Sequence, residues 1–154
     1  LGACAGGAAC TGGRMRRWQV VAAYLQGGLV EVEVVYCLPP PGYGGVGKDG
    51  QQVICKVVKP FYGMAQAGRR WQRSRFPWLK EFGFTQVSTD SSVFTLTREV
   101  DTPSGKRTEH LHLGVYVDDL GILYGSDDEH SLYRSFVSAL STKWNVEDRI
   151  VVLR

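Results

Sequence analysis

The chain has 154 residues, a formal net charge of +3 and 44% hydrophobic residues, which is enough for one modest domain with its own core. No apolar run approaches the ~18 residues that span a bilayer. The first residues do not follow the basic-then-apolar pattern of a secretion signal. We therefore expect an intracellular, non-secreted protein without a membrane partner. The cysteines Cys4, Cys10, Cys37 and Cys55 lack paired CxxC spacing, which disfavours a disulfide framework or a zinc site and favours free thiols in a reducing compartment.

The beginning of the chain is unlike the rest in composition. Up to residue 13 it uses only Leu, Gly, Ala, Cys and Thr, with no periodicity and no charge. We therefore expect residues 1–16 to be a disordered low-complexity segment and residues 17–154 to form the folded domain. Residues 18–25 are apolar and β-rich, and predict a strand that runs into a turn or a short helix.

Two further strands are predicted around a loop. Residues 30–38 alternate valine with glutamate, which is the two-residue period of a half-buried strand. Residues 39–45 contain three prolines and three glycines and predict a loop. Residues 52–58 then predict a strand that could pair with the strand at 30–38.

A helix is predicted at residues 65–82. Its large apolar side chains recur at helical spacing, which places them on one face with the arginines on the other. Pro77 should kink or restart this helix, because it removes a hydrogen-bond donor and clashes with the preceding turn. Gly83 is a natural stop.

The last third of the chain predicts a second mixture of strands and a helix. Residues 92–100 and 110–124 are β-type runs, separated by a turn at 101–105, and the second run is interrupted by two acids. A final helix is predicted at about 128–144, with acids at its start that complement the helix dipole. Strands and helices mix without strict alternation, so the pattern predicts an α+β fold with an antiparallel sheet packed on helices.

The adjacent acids Asp118 and Asp119 lie between two apolar β runs. Buried carboxylates without partners are costly, so we expect this pair at an exposed hairpin tip or bound to cations. An ordinary exposed turn is one interpretation. The other is a hairpin that presents carboxylates to Mg²⁺ for phosphoryl transfer, since oxygen ligands suit this ion.

Charge is distributed unevenly along the chain. Residues 56–80 contain seven basic residues and no acidic one, interleaved with aromatic side chains. This composition suits contact with a phosphate backbone and stacked bases. A solvated helix face is the plainer alternative.

Several motifs, taken in order, resemble the reverse transcriptase of copia-type retrotransposons. The resemblance covers about residues 18–148, and its blocks are Ala23-Tyr24-Leu25-Gln26-Gly27, Pro40-Pro41-Gly42-Tyr43, Lys59 to Trp71 (KPFYGMAQAGRRW), Phe82-Gly83-Phe84 with Asp90-Ser91-Ser92-Val93-Phe94, and Tyr116-Val117-Asp118-Asp119. Each block alone is weak, whereas the ordered set is specific. It implies an RNA-directed DNA polymerase that adds dNTP to a DNA primer on an RNA template, in a palm with part of the fingers.

The resemblance also implies a metal site. Asp118 and Asp119 match the paired acids that bind two Mg²⁺ ions in the family. The family places a further catalytic aspartate five residues before the aromatic that Tyr24 matches, and Gln19 stands there instead. An amide is neutral and cannot bridge two divalent cations as a carboxylate does, so we expect impaired activity.

Other site residues follow from the same resemblance. Tyr24 matches the aromatic that excludes a 2′-hydroxyl, and Gln66 matches a glutamine near the incoming nucleotide; without the motif they would be a core aromatic and a surface amide. Arg69, Arg70 and Arg73 are expected to contact nucleic acid, with a solvated helix face as the alternative.

The resemblance implies that further parts belong to the working enzyme. We expect the remaining fingers, the thumb and the RNase H region to come from a larger polyprotein. Two alternatives stay open beside the polymerase: a nucleic-acid-binding remnant without catalysis, and an unstable fragment without function. A structural zinc protein is a more distant possibility.

Overall fold

The structure is a computed structural model that describes residues 13–27 and 34–149. The described residues divide into two compact units, a larger one with residues 13–23 and 75–149 and a smaller one with residues 24–27 and 34–74. Most of the segment that we expect to be disordered, residues 1–12, lies outside the described residues. The first strand begins at Arg14, ahead of the expected start of the folded domain at residue 17.

The described residues form eight strands and three helices. In chain order they are β1 (Arg14–Val20), α1 (Ala23–Gln26), β2 (Tyr36–Cys37), β3 (Cys55–Lys56), α2 (Ala67–Phe82), β4 (Thr85–Val87), β5 (Asp90–Thr102), β6 (Gly105–Tyr116), β7 (Asp119–Tyr124), α3 (Leu132–Lys143) and β8 (Val146–Arg149). Within this part of the chain, no helix is both long enough and apolar enough to cross a membrane.

The larger unit is built on an antiparallel sheet. Its six described strands lie in the order β4-β5-β6-β7-β1-β8, and every neighbouring pair is antiparallel. The strands that the sequence predicts at 92–100 and 110–124 are found as β5, β6 and β7. The mostly antiparallel sheet with a few helices is consistent with the predicted α+β class.

An aromatic cluster holds the helices of the larger unit together. Phe136 of α3 is fully buried and lies 5.2 Å from Phe82 and 5.0 Å from Phe84, between ring centroids. Trp78 of α2 packs edge-on against Trp144 at 4.7 Å. Such rings bury large apolar areas, so they contribute much of the core free energy. The helical spacing in the sequence predicts an apolar face on each helix, and Leu79 of α2 and Phe136 and Leu140 of α3, which lie on these faces, are buried.

The smaller unit contains a second, short sheet. Tyr36 pairs with Lys56 and Cys37 with Cys55 in antiparallel register, so the predicted pairing of two strands across the proline-rich loop is confirmed. The strands are shorter than expected. Part of the first prediction, residues 30–33, lies outside the described residues.

Helix α2 differs from the sequence prediction in two respects. Of the two outcomes predicted for Pro77, a kink or a restart, the restart is wrong, because α2 runs through Pro77 as one helix. Pro77 has no backbone N–H, so the carbonyl of Arg73, four residues earlier, loses its helical donor. Both residues are exposed, and water can hydrate this carbonyl. The arginines do not share one exposed face: Arg70 and Arg75 are only 3% and 2% exposed. Arg75 lies four residues after Trp71, on the buried side.

Two edge strands, β4 and β8, are absent from the sequence prediction. Strand β4 has three residues, and β8 has the sequence Val-Glu-Asp-Arg, with three exposed charged side chains. Charges on an edge strand discourage pairing with other chains. They also remove the apolar alternation on which strand prediction depends.

Candidate functional site

Asp118 and Asp119 lie at the tip of the hairpin formed by β6 and β7. The arms pair from Leu111 with Tyr124 to Tyr116 with Asp119, which leaves a two-residue loop of Val117 and Asp118. Val117 has a φ of 48°, and Asp118 does not have a positive φ. A positive φ at the first loop position alone is typical of a type II′ turn, one of the two usual turns of a short hairpin. The acids therefore stand where the strand pairing ends.

Strand β1 brings Gln19 directly beside this tip. Gln19 is the register partner of Asp119, and its side-chain amide donates to Asp118 Oδ2 over 3.0 Å. The next residue, Val20, donates its backbone N–H to the carbonyl of Asp118 over 2.8 Å. The position at which the resemblance implies an aspartate is therefore in contact with the acidic pair, and here it supplies a hydrogen-bond donor.

Arg17 neutralises the second acid. Its guanidinium donates through Nε to Asp119 Oδ1 over 3.1 Å and through Nη2 to Oδ2 over 2.7 Å, a bidentate pair. Arg17 lies opposite Gly121, whose missing side chain leaves room for the arginine to reach its diagonal neighbour Asp119. The hydrogen bond to Asp119 and then the charge of that carboxylate raise the pKa of Arg17 above its ordinary value. The ion pair is partly buried, because the side chain of Asp119 is 15% exposed and that of Arg17 is 42% exposed.

Strand β8 extends the same network. Arg149 donates from Nε to Gln19 Oε1 over 3.1 Å, and its Nη2 lies 2.7 Å from Glu147 Oε2. Gln19 is thus held at both ends of its amide, by Arg149 on one side and by Asp118 on the other. This arrangement fixes the orientation of the amide, with its nitrogen towards the acid.

The hairpin loop has one more partner, from helix α2. Arg75, which is almost fully buried, donates to the backbone carbonyl of Val117. A guanidinium in a buried position is stabilised by such an acceptor. The contact ties the strained loop residue to the helix.

The side chains present do not fit a pair of divalent ions. Within residues 13–27 and 34–149, no group of three His, Cys, Asp or Glu side chains is placed to hold a metal. Both oxygens of Asp119 accept from Arg17, and one oxygen of Asp118 accepts from Gln19. Two carboxylates and one amide, already in contact with donors, compensate four positive charges poorly. The expected Mg²⁺ ions therefore have no prepared ligand set.

The predicted nucleotide-binding residues belong to the smaller unit. Tyr24 of α1 is half-buried, and its ring lies 4.5 Å from that of Tyr62, between centroids. Gln66 is half-buried just before α2, where its backbone carbonyl accepts from Arg70. The acids and Gln19 lie together in the larger unit, whereas Tyr24 and Gln66 lie in the other unit.

The three arginines predicted to contact nucleic acid differ in exposure. Arg69 and Arg73 are exposed, whereas Arg70 is only 3% exposed. The burial of Arg70 argues against a phosphate contact by its side chain in this conformation. The prediction for Arg69 and Arg73 is unchanged.

Sequence reasoning missed the roles of Arg17, Arg149 and Arg75. Arg17 carries a recognisable signal, because residues two apart on a strand share a face and Arg17 stands two before Gln19. Arg149 and Arg75 carry none, since Arg149 is 130 positions from its partner Gln19 and Arg75 is 42 positions from its partner Val117.

Comparisons with known proteins identify the family of this chain. Residues 7–152 match the family described as Reverse transcriptase (RNA-dependent DNA polymerase), so the chain belongs to the reverse transcriptase family. Two curated relatives are similar to it, the retrovirus-related Pol polyproteins from transposons RE1 and RE2 of Arabidopsis thaliana, which are 34% and 33% identical over 134 residues. These 134 residues are 87% of this chain and 8% of each relative. No solved structure matches the chain significantly. The resemblance to copia-type retrotransposon proteins is confirmed.

Proposed function

We propose that the chain is a palm with part of the fingers from a copia-type RNA-directed DNA polymerase, and that its polymerase activity is strongly impaired. The ancestral reaction adds dNTP to a DNA primer on an RNA template. One observation carries the impairment: Gln19 and Arg17 hold the two acids with an amide and a guanidinium.

The impairment follows from charge. The carboxylates of the two acids contribute a charge of −2 and the guanidinium of Arg17 contributes +1. The site therefore offers a net charge of −1 to the two Mg²⁺ ions on which the family's chemistry depends. Losing a shared carboxylate ligand costs several kcal/mol of transition-state stabilisation, or on the order of 10³-fold or more in rate. We expect negligible incorporation by the chain as it stands.

A variant series tests both contacts. Gln19→Asp restores the missing carboxylate, but it leaves Asp119 bound to Arg17, so we expect little gain. The double variant Arg17→Gln with Gln19→Asp frees both acids, and we expect primer extension on an RNA template to rise by about tenfold or more over the unchanged chain. Arg16→Gln is the matched control, because Arg16 is a neighbour on β1 whose ion pair, with Asp148, does not involve the acidic pair.

Mn²⁺ binding gives a second readout that is independent of turnover. Electron paramagnetic resonance should detect weak binding of Mn²⁺ to the unchanged chain and to Arg16→Gln, and tighter binding to the double variant. Robust incorporation by the unchanged chain would refute the impairment. A folded double variant that binds Mn²⁺ no better than the control would refute the role of Arg17.

A second candidate function is nucleic-acid binding without catalysis. It is favoured by the exposure of four basic side chains in the smaller unit, Lys56, Lys59, Arg69 and Arg73. Binding through phosphates weakens steeply with salt. Salt-dependent binding of an RNA–DNA duplex, with no incorporation even by the double variant, would support this candidate over the polymerase.

A further inference from the structure

Cys37 and Cys55 are direct partners across the short sheet of the smaller unit. They are 18 positions apart in the sequence and lie opposite each other in the β2–β3 register. Opposite residues of an antiparallel pair point to the same face of the sheet. Both are free cysteines with partly exposed side chains. Spacing alone suggests no pairing, whereas the register brings the two thiols together.

The hydrogen bonding of the sheet defines the type of this pair. Val57 donates its N–H to the carbonyl of Val35 over 2.8 Å. Antiparallel pairs alternate between hydrogen-bonded and non-hydrogen-bonded, so Cys37 and Cys55, two positions further along, form a hydrogen-bonded pair. The α-carbons of such a pair are about 5.5 Å apart, within the range of disulfides. Their β-carbons are further apart than a relaxed disulfide prefers, so the bond would be strained.

We propose that Cys37 and Cys55 form a redox-active dithiol that a low-molecular-weight disulfide oxidises to a cross-strand disulfide. The thiolate of one cysteine attacks the oxidant and forms a mixed disulfide, which releases one thiol. The thiolate of the other cysteine displaces the second thiol and closes the Cys37–Cys55 bond. The two cysteines lose two electrons and two protons, and the two released thiols gain them. The site is independent of the proposed polymerase function.

The proline- and glycine-rich loop between the two strands is the segment that the disulfide would constrain. Oxidation would close residues 38–54 into a covalent ring and remove freedom from the unfolded chain. Because the bond is strained, it should also be easily reduced, as labile regulatory disulfides are. The dithiol would therefore change the loop reversibly with redox conditions.

Trypsin mapping separates the relevant cysteines. Cleavage after arginine and lysine places Cys4 and Cys10 in peptide 1–14, Cys37 in peptide 18–48 and Cys55 in peptide 49–56. The folded chain is incubated with oxidised glutathione, its remaining thiols are blocked with iodoacetamide, and it is then digested and analysed by mass spectrometry. The expected product is peptide 18–48 joined to peptide 49–56, with a combined mass lower by two hydrogen atoms.

Cysteine-to-serine variants show which two cysteines form the disulfide. Cys55→Ser should abolish the joined peptide, whereas the variant with Cys4→Ser and Cys10→Ser should keep it. Millimolar reduced glutathione should separate the two peptides again. Separate glutathione adducts on Cys37 and Cys55, or links to peptide 1–14, would overturn the proposal. A joined peptide that resists reduced glutathione would overturn its redox-active character.

Discussion

Val117 occupies a backbone conformation that β-branched residues rarely adopt. Its φ of 48° lies in the left-handed region, where the Cβ branches meet the backbone, and such strain costs about 1–3 kcal/mol. Arg75 on its carbonyl and the pairing of both hairpin arms hold it there. The strain is stored at the residue next to the acidic pair.

Replacing Val117 by glycine should release this strain. We expect Val117→Gly to raise the free energy of unfolding by about 1 kcal/mol, because the relief exceeds the entropy that glycine adds to the unfolded chain. Urea unfolding followed by circular dichroism measures the change. Val100→Gly on β5, a partly exposed valine without a positive φ, is the control and should lower stability instead. Equal losses in both variants would show that the Val117 loop is unstrained.

The acidic hairpin tip was predictable from the sequence. The sequence also marks Gln19 as a departure beside the acids, but it does not predict the ion pair between Arg17 and Asp119. Two adjacent acids between apolar runs predict a hairpin tip, and the resemblance marks Gln19 as a departure. Which donor reaches which oxygen depends on register: Arg17 reaches Asp119 because it faces Gly121. Register between β1 and β7 joins residues about 100 positions apart, and no local pattern in the sequence encodes it.

At the scale of elements, helix α3 begins with side-chain caps on two of its free amides. Ser131 accepts from the N–H of Arg134 over 3.2 Å, and Glu109 of β6 accepts from the N–H of Leu132 over 2.7 Å. The hydroxyl of Ser126 and then Arg107 lower the pKa of Asp128, just before the helix, to about 2. The sequence predicts acids near this helix start, but the helix begins four residues later than expected.

A substitution of Ser131 tests whether its side chain caps the beginning of helix α3. Ser131→Ala removes the cap acceptor, and we expect the free energy of unfolding to fall by about 1 kcal/mol. Ser135→Ala, one turn further on and exposed, is the control; we expect little change or a small gain because alanine favours helix. Urea unfolding of both variants gives the comparison. A loss in Ser135→Ala equal to that in Ser131→Ala would contradict a capping role.

At the scale of the molecule, the exposed large apolar side chains of the described residues are concentrated in one stretch. Most exposed large hydrophobic side chains fall in residues 34–62 of the smaller unit, including Tyr43 at 85% and Val46 and Val58 at 71%. Contiguous exposed apolar surface in a soluble protein marks an interaction site or a tendency to aggregate.

The isolated chain should therefore self-associate through residues 34–62. The variant with Ile54→Thr and Val58→Thr, which keeps β-branching, should shift the population towards monomer and lower the binding of the dye ANS. Leu25→Thr is the control, since Leu25 is an exposed apolar residue outside this stretch. Sedimentation velocity at roughly 10–100 μM, where exposed apolar surface drives association, gives the comparison. An unchanged chain that sediments as a monomer and binds no ANS would contradict self-association through residues 34–62.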